Sequence, residues 1–462
     1  MEDALDPIVC IRQICSNQAM QTANMPQPVD LVVEAGWIIP IEPAGIVLER
    51  HAVAVRGGLI EDIVPVEAVR ERFVPTQTIA LHGEVLFPGL VNLHTHAAMS
   101  LLRGYADDLP LMRWLQERIW PAEARHVTAD FVEAGTLLAA AEMVRGGVTC
   151  FNDMYFHPTA AAAAASKAGI RAMLGMIVIE FPTAYAGDAE DYLAKGLDAR
   201  DACADNPLID FCFAPHAPYT VSDRSFERVA TLAAQLNCPI HVHLHETEQE
   251  ISESVQRHGC RPIARFDRLG LLSAQLLAVH SVHLLPSEID LFAHHGVHVA
   301  HCPTSNLKLA AGIAPMAALE ARGVNFGLGT DGAASNNRLD VFHEMRHAAL
   351  LAKGASGDAT AISAFRALHA ATLGGARALG MDDRIGSLRP GKAADMVSVR
   401  LDDWESLPCF DPISHLVYVA GREHVQNVWV GGNAVLQNGE LTGLNPHALR
   451  ESAQLWHNRL VS

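Results

Sequence analysis

Histidines and acids stand at the ends of short apolar runs. His94 and His96 close the run 85–93 at a spacing of two. In a β-strand that spacing puts both imidazoles on one face, where they can share a metal ion. An HxH pair is a weak signal in a chain with 24 histidines. The arrangement recurs, however. The run 240–244 holds His241 and His243 and continues into His245-Glu246. Its three histidines share a period-two face, and periodicity does not say which binds metal. The run 209–215 leads into His216, and 276–280 ends in His280. The run 298–302 holds His301-Cys302 and leads into Pro303-Thr304-Ser305-Asn306, and 325–329 leads into Thr330-Asp331-Gly332. A structural protein has no reason to end so many apolar strands in ionisable groups. Neutral imidazoles plus a carboxylate, with one position open, form the donor set of a catalytic zinc site. Such a site makes hydroxide available near neutral pH.

The elements that would position these groups are eight apolar runs: 85–93, 148–153, 172–179, 209–215, 240–244, 276–280, 298–302 and 325–329. Helix-like stretches separate most of them. Residues 129–145 carry apolar side chains at helical spacing and stop at Gly146-Gly147; the alanine-rich stretch 160–168 stops at Gly169. Eight βα alternations predict an α/β fold, a (β/α)8 TIM-type barrel with reactive residues at the C-terminal ends of its strands. Both chain ends read differently. Runs at 30–39, 52–55 and 59–64 turn at Gly57-Gly58, and runs at 394–399, 425–430 and 434–436 turn at Gly431-Gly432. That pattern predicts a small β-sandwich domain built from both chain ends. The expected organisation is an N-terminal extension (1–28), the first part of the β-sandwich (29–86), the barrel (87–385), the second part of the sandwich (386–443) and a C-terminal helical tail (444–462).

Half of the 462 residues are hydrophobic and the formal net charge is −18. A chain of this size and composition has a sizeable core. So acidic a chain argues against binding to nucleic acid or to an anionic membrane. No apolar run reaches the length of a membrane span. The acidic start (Glu2, Asp3, Asp6) is unlike a signal peptide. Nine scattered cysteines without a CxxC pair read as buried free thiols of a cytoplasmic protein.

Some motifs match only formally. Gly327-Leu328-Gly329-Thr330-Asp331-Gly332 fits GxGxxG, but it lies late in the chain and no strand-ending acid follows about 20 residues on. His343-Glu344-Met345-Arg346-His347 fits HExxH, but its apolar positions suit an ordinary barrel helix with two surface histidines. His82-Gly83-Glu84 lacks the PCxxC partner of cytidine deaminases. His294-His295 reads as solvated.

Across residues 28–443 the chain resembles the amidohydrolase superfamily, and within it the methylthioadenosine/S-adenosylhomocysteine deaminases. The segments that carry the resemblance are Pro88-Gly89-Leu90-Val91-Asn92-Leu93-His94-Thr95-His96, Leu101-Leu102-Arg103-Gly104, Trp114-Leu115 with Trp120-Pro121-Ala122-Glu123, and Ala214-Pro215-His216-Ala217-Pro218-Tyr219. To these add His243-Leu244-His245-Glu246-Thr247, Gly329-Thr330-Asp331-Gly332-Ala333-Ala334-Ser335-Asn336-Asn337, and Gly386-Ser387-Leu388 with Gly391-Lys392-Ala393-Ala394-Asp395. The resemblance implies His94, His96, His243 and Asp331 as ligands of one divalent metal per subunit, zinc in the first place. It selects His243 because Glu246 follows at the family's spacing. It implies that Glu246 holds and protonates the purine ring, that His280 orients the attacking water, and that Asp331 takes the proton of that water. Glu123 and His216 become the nucleoside-binding pair on the ribose side. Binuclear relatives carry a lysine where this chain has His216, which implies a single metal. The implied reaction is hydrolytic deamination of an adenosine-type nucleoside to the inosine analogue and ammonia. The implied partner is that small molecule, with a homo-oligomer as the assembly.

The chain departs from relatives that take homocysteine-bearing substrates, which use arginines after strand three. Here that stretch reads Ile177-Val178-Ile179-Glu180-Phe181-Pro182-Thr183, with Arg171 ahead of it. This weighs more against S-adenosylhomocysteine than against methylthioadenosine. The same scaffold and metal also serve guanine- and cytosine-type aminohydrolases and triazine chlorohydrolases. A metal-free barrel scaffold is a remoter reading, since all four ligands are present.

Overall fold

The computed structural model describes residues 25–461. Among these, sixteen strands form two eight-stranded sheets. The first takes β1 (Gln27–Ile38), β2 (Leu48–Arg56), β3 (Leu59–Pro65) and β4 (Phe73–Pro88) from one end of the chain. The second is the barrel: β5 (Leu90–Thr95), β6 (Val148–Asp153), β7 (Arg171–Val178), β8 (Ile209–Pro215), β9 (Ile240–Leu244), β10 (Leu276–His280), β11 (His298–His301) and β12 (Phe326–Leu328). The first sheet is completed by β13 (Met396–Arg400), β14 (Val425–Val430), β15 (Asn433–Gln437) and β16 (Glu440–Leu441). Residues 1–24 of the expected extension lie outside the described residues, and Gln27 and Pro28 already begin β1.

In the first sheet the order is β16-β15-β14-β13-β4-β1-β2-β3, so β4 joins the two ends of the chain. It runs parallel to β1 and antiparallel to β13. Val33, Val53, Leu86, Met396 and Trp429 share one enclosed cluster, which holds this unit together. The two diglycine turns meet. A Cβ on Gly58 would lie 2.9 Å from the Gly431 carbonyl oxygen. Ala394 bridges the turns, donating its N–H to Gly58 O and accepting from Gly432 N–H.

Barrel strands pair in parallel in chain order. Their residues are buried almost throughout, as expected for a parallel sheet covered on both faces. The run 85–93 does not form the single strand its sequence predicts. It breaks at Gly89, where the chain passes from the first sheet into the barrel. A Cβ there would lie 1.9 Å from Thr149 Oγ1, so only glycine fits the crossing.

Between β12 and β5 a side chain staples the seam. Asn92 Oδ1 accepts from Thr330 N–H at 2.9 Å, and its amide donates to Thr330 Oγ1 at 2.8 Å. Asp331 N–H then donates to His94 O at 2.9 Å. The strands approach closely because Gly327 and Gly329 have no side chains. A Cβ on Gly327 would come 2.6 Å from Leu93 Cδ2, and one on Gly329 2.8 Å from His94 Cβ. The formal GxGxxG is thus a barrel-closing device.

The helix Ala129–Arg145 is capped by Thr128, whose hydroxyl accepts from Phe131 N–H, and stops at Gly146. Its Gly135 faces Ala98 O, where a Cβ would lie 2.3 Å away, so the helix presses on the 3-10 segment Ala97–Leu102 that follows His96. The C-terminal helix Pro446–Val461 packs Trp456 edge-on against Phe131. Among the described residues no helix is long and apolar enough to cross a membrane. Every described cysteine is free. Cys150, Cys212, Cys238 and Cys302 are buried, whereas Cys203, Cys260 and Cys409 are half-exposed, contrary to the expectation of uniformly buried thiols. His294 is exposed, but His295 is half-buried and faces Asp267 at 3.6 Å.

Candidate active site

The C-terminal ends of β5, β9, β10 and β12 bring His94, His96, His243, His280 and Asp331 together. His94 Nε2 and His96 Nε2 each lie 3.3 Å from Asp331 Oδ1. Potential ligand atoms of His94, His96 and Asp331 lie within 4.8 Å of one another, as do those of His94, His243 and His280. The remaining atoms of these side chains are held from behind. His96 Nδ1 donates to Met154 O at 2.7 Å, His243 Nδ1 to His216 O at 2.7 Å, and His280 Nδ1 to Asn306 Oδ1 at 2.8 Å. His94 Nδ1 contacts His241 Nε2 at 2.8 Å. Asp331 Oδ2 accepts from the hydroxyls of Ser305 (2.6 Å) and Ser335 (2.8 Å). A ring that donates through Nδ1 presents the lone pair of Nε2.

The charge states suit a cation. Burial pushes His94 down to about 4 and holds His243 and His241 well below the ordinary histidine range. Burial opposes the charge of Asp331, but the proximity of His94, then of His96 and His280, outweighs it, and the carboxyl sits well below its usual range. His94 Nε2 is a buried nitrogen with no hydrogen-bond partner, aimed at this cluster. An unpartnered imidazole nitrogen among neutral rings and an ionised carboxylate fits a divalent metal.

The three histidines after Pro239 do not share a face. His241 sits beneath His94 and His243 faces the cavity, but φ of 56° at His245 swings that ring out of the barrel. There it accepts from Ile263 N–H and contacts His283 O. The next residue, Glu246, is buried and lines the cavity, with Oε1 3.8 Å from His280 Nε2. Burial raises its carboxyl, His280 opposes the rise and the charge of Asp331 adds to it. Glu246 does not brace His243, whose Nδ1 is satisfied by His216 O. Glu250 holds the turn, accepting from the main-chain N–H groups of His245 and Glu246 at 2.8 Å each.

His216 and Glu123 line the same cavity. His216 Nδ1 contacts Thr220 Oγ1 at 3.0 Å, and burial keeps the ring neutral by lowering its pKa to about 3. Glu123 comes from the helix Trp120–His126 and accepts from Tyr155 Oη at 2.8 Å. Burial pushes its carboxyl up to about 7 against the pull of that hydrogen bond.

Beyond these groups the wall is apolar and aromatic. Trp114, Ile119, Trp120, Ile177, Ile179 and Phe181 line it, with the rings of Trp120 and Phe181 5.9 Å apart. No lysine or arginine is among the lining residues. Arg171 lies at the opposite end of β7, paired with Asp395 at 2.8 and 3.1 Å. Glu180 is exposed and accepts from Ser222 N–H.

Sequence reasoning passed over several residues of this site. Asp153 ends β6, is buried, and accepts from Ala97 N–H (2.7 Å) and Thr95 Oγ1 (2.9 Å), fixing the turn beside His96. Its position at a strand end was the signal. Ser305, Asn306 and Ser335 lie in segments whose motif was visible, but their partners are distant in sequence. Tyr155 carried no local signal.

Comparison with known proteins agrees with this geometry. The amidohydrolase family profile matches residues 85–435. A 5-methylthioadenosine/S-adenosylhomocysteine deaminase from Teredinibacter turnerae is 44% identical over 432 residues, 94% of this chain and 98% of the relative. The structure is similar to that of an adenosine deaminase from Xanthomonas campestris with bound zinc, at a TM-score of 0.93 and 51% identity, covering 95% of this chain and 100% of that one. An atrazine chlorohydrolase from Arthrobacter aurescens complexed with zinc shares the fold, with a TM-score of 0.84 at 22% identity over 92% of this chain and 100% of that one.

Proposed function

The chain belongs to the amidohydrolase family, and from that premise we propose a zinc-dependent deaminase of adenosine-type nucleosides with 5′-methylthioadenosine as its preferred substrate. It is a metal-dependent hydrolase, and its curated relatives are deaminases of methylthioadenosine and S-adenosylhomocysteine. The donor set and the zinc in the adenosine deaminase structure support zinc as the cation. The observation that carries the nucleoside reading is one cavity with Glu246, His280 and Asp331 at its floor and Glu123 and His216 beside them.

His94, His96, His243 and Asp331 would hold the cation. When bound, it supplies Lewis-acid activation of a water molecule. Asp331 Oδ2 accepts from both Ser305 and Ser335, whereas Oδ1 accepts only from Gly332 N–H and faces His94 and His96, so Oδ1 is the oxygen to take the proton of the attacking water. His280, fixed through Nδ1 by Asn306, presents Nε2 to orient that water. Burial raises the Glu246 carboxyl and so favours the acid form, which delivers its proton to N1 of the purine as C6 becomes tetrahedral. The amino group leaves as ammonia with the proton returned from Asp331, and the hydroxyl proton lost as C6 becomes a carbonyl restores the acid form of Glu246 through solvent. Glu123 accepts from the ribose hydroxyls, and His216 packs against the sugar.

The 5′ substituent meets the apolar wall. A methylthio group gains contact there. A homocysteine tail carries an ammonium and a carboxylate, and would lose hydration without finding a lysine or arginine among the lining residues. The test is ammonia release from methylthioadenosine, S-adenosylhomocysteine, adenosine and guanine by zinc-loaded protein. Methylthioadenosine fastest and guanine inert is the expected result. Release from guanine alone, or from none of the four, overturns the nucleoside reading. S-adenosylhomocysteine matching methylthioadenosine overturns the preference.

A further inference from the structure

The HExxH segment on the helix Val341–Ser356 does not reach the cavity, yet its glutamate is among the most enclosed acids of the chain, 1% exposed. Glu344 joins two loops. Its Oε2 accepts from Thr304 N–H at 3.1 Å, at the start of the helix Pro303–Lys308 that follows β11. Its Oε1 accepts from the Asn336 side-chain amide at 2.8 Å, and that same amide donates to Thr330 O at 2.7 Å. His347, one turn on, contacts Thr304 Oγ1 at 2.9 Å. The neighbours of these anchors matter. Next to Thr304 stand Ser305, on Asp331 Oδ2, and Asn306, on His280 Nδ1. Next to Asn336 stands Ser335, also on Asp331 Oδ2. All three side chains that orient Asp331 and His280 therefore lie within two residues of a Glu344 partner.

We infer that Glu344 is a positioning residue for the reaction, a carboxylate clamp between the loops after β11 and β12 that sets the geometry of Asp331 and His280 through Ser305, Ser335 and Asn306. The roles of Asp331 and His280 rest on the proposed function; the clamp geometry does not. Both partners of Glu344 are N–H donors, so both oxygens are used as acceptors. Glutamine offers one acceptor, and its own amide faces a donor. Partners behind a metal ligand typically contribute about 10–100-fold in metal affinity or activity.

The experiment is a double-mutant cycle of Glu344→Gln with Ser305→Ala/Ser335→Ala, read two ways. The first reading is kcat and KM per bound metal. Glu344→Gln is expected to lower kcat about 10–100-fold with KM little changed, and to cost clearly less in the double-serine background, where only the Asn306 arm to His280 is left. The second uses the cobalt-substituted protein without substrate, where the visible absorption band and the cobalt affinity report the environment of Asp331. Glu344→Gln is expected to shift the band and weaken affinity, without further effect when both serines are absent. Additive costs in either reading, or an unchanged cobalt spectrum with kcat per bound metal intact, overturn the clamp. If Glu344→Gln does not fold, Asn336→Ala removes one arm and is read the same way. The cobalt reading tests the clamp even if the wild-type protein deaminates none of the nucleosides, so the two failures separate.

Discussion

The floor and the wall of the cavity are built on opposite rules. At the floor the histidine nitrogens and the aspartate oxygen that face away from the reaction are tied to a carbonyl, an amide, a hydroxyl or another ring. At the wall the lining is mostly indoles, phenyls and branched chains, with the hydroxyls of Thr183, Tyr185 and Tyr219 among them and no lysine or arginine. The floor selects chemistry through fixed positions of charge. On the proposed reading the wall would select a substituent by what it withholds, because a charged tail would give up water there without meeting a lysine or arginine. On the proposed reading, reaction and preference would then rest on separate residues, and each could be changed without the other.

The largest effect should come from breaking the floor. Chelation should abolish turnover and zinc should restore it. Glu246→Gln should keep its metal, by elemental analysis, and lose roughly 10²–10⁴-fold in single-turnover rate. A metal-replete Glu246→Gln protein of normal rate removes the proton-donor role. Loosening the floor without removing a ligand should cost less: Ser305→Ala/Ser335→Ala should lower kcat by about 10–100-fold while KM holds. A lost KM with kcat intact would assign those serines to substrate binding instead. Rewriting the wall should move preference and leave chemistry alone. Phe181 is 40% exposed at the rim, so Phe181→Arg can be accommodated. The ratio of kcat/KM for S-adenosylhomocysteine over methylthioadenosine should rise by about tenfold. An unmoved ratio would mean that the tail does not meet Phe181. The smallest effect concerns stability. The Glu123 carboxyl rises from 4.5 to about 7 in the folded chain. The folded state keeps a proton that the unfolded chain releases across this interval, so stability falls as pH climbs through it and the penalty is complete above it. Glu123→Gln should therefore unfold at higher temperature above about pH 8, by roughly 1–3 kcal/mol of stability, with no gain below about pH 4. A gain that persists in acid would trace to packing rather than to charge.

The barrel and the ring of strand-end histidines were legible in the sequence because both are periodic. Runs 148–153, 209–215, 240–244 and 276–280 coincide with β6, β8, β9 and β10. What was not legible depends on single backbone angles and on distant partners. His245 obeys the period of two on paper, but a positive φ ends the strand before it. The run 85–93 is apolar apart from Asn92 because both of the sheets it serves are buried, and only Gly89 marks the break. Asp153 was visible at a strand end, but its partners Thr95 and Ala97 lie on another strand and loop. Arg171 precedes the apolar stretch in sequence yet sits at the far end of β7, since a strand separates its two ends by its whole length.

The staple of Asn92 on Thr330 spans 238 residues of chain. It joins the first and last strands of the barrel, and Asp331, one residue past the staple, hydrogen-bonds to His94 O. A cation held by His94, His96 and Asp331 would be a rivet across that joint. The full donor set is assembled only when the ring closes, and a chain truncated before strand β12 would lack Asp331 and keep only the histidines of β5, β9 and β10. By the same linkage the bound ion favours the closed ring. Without it, amide protons along β5 and β12 should exchange with solvent faster than those of β7 and β8 on the opposite side, and the barrel would come apart first where it was last joined.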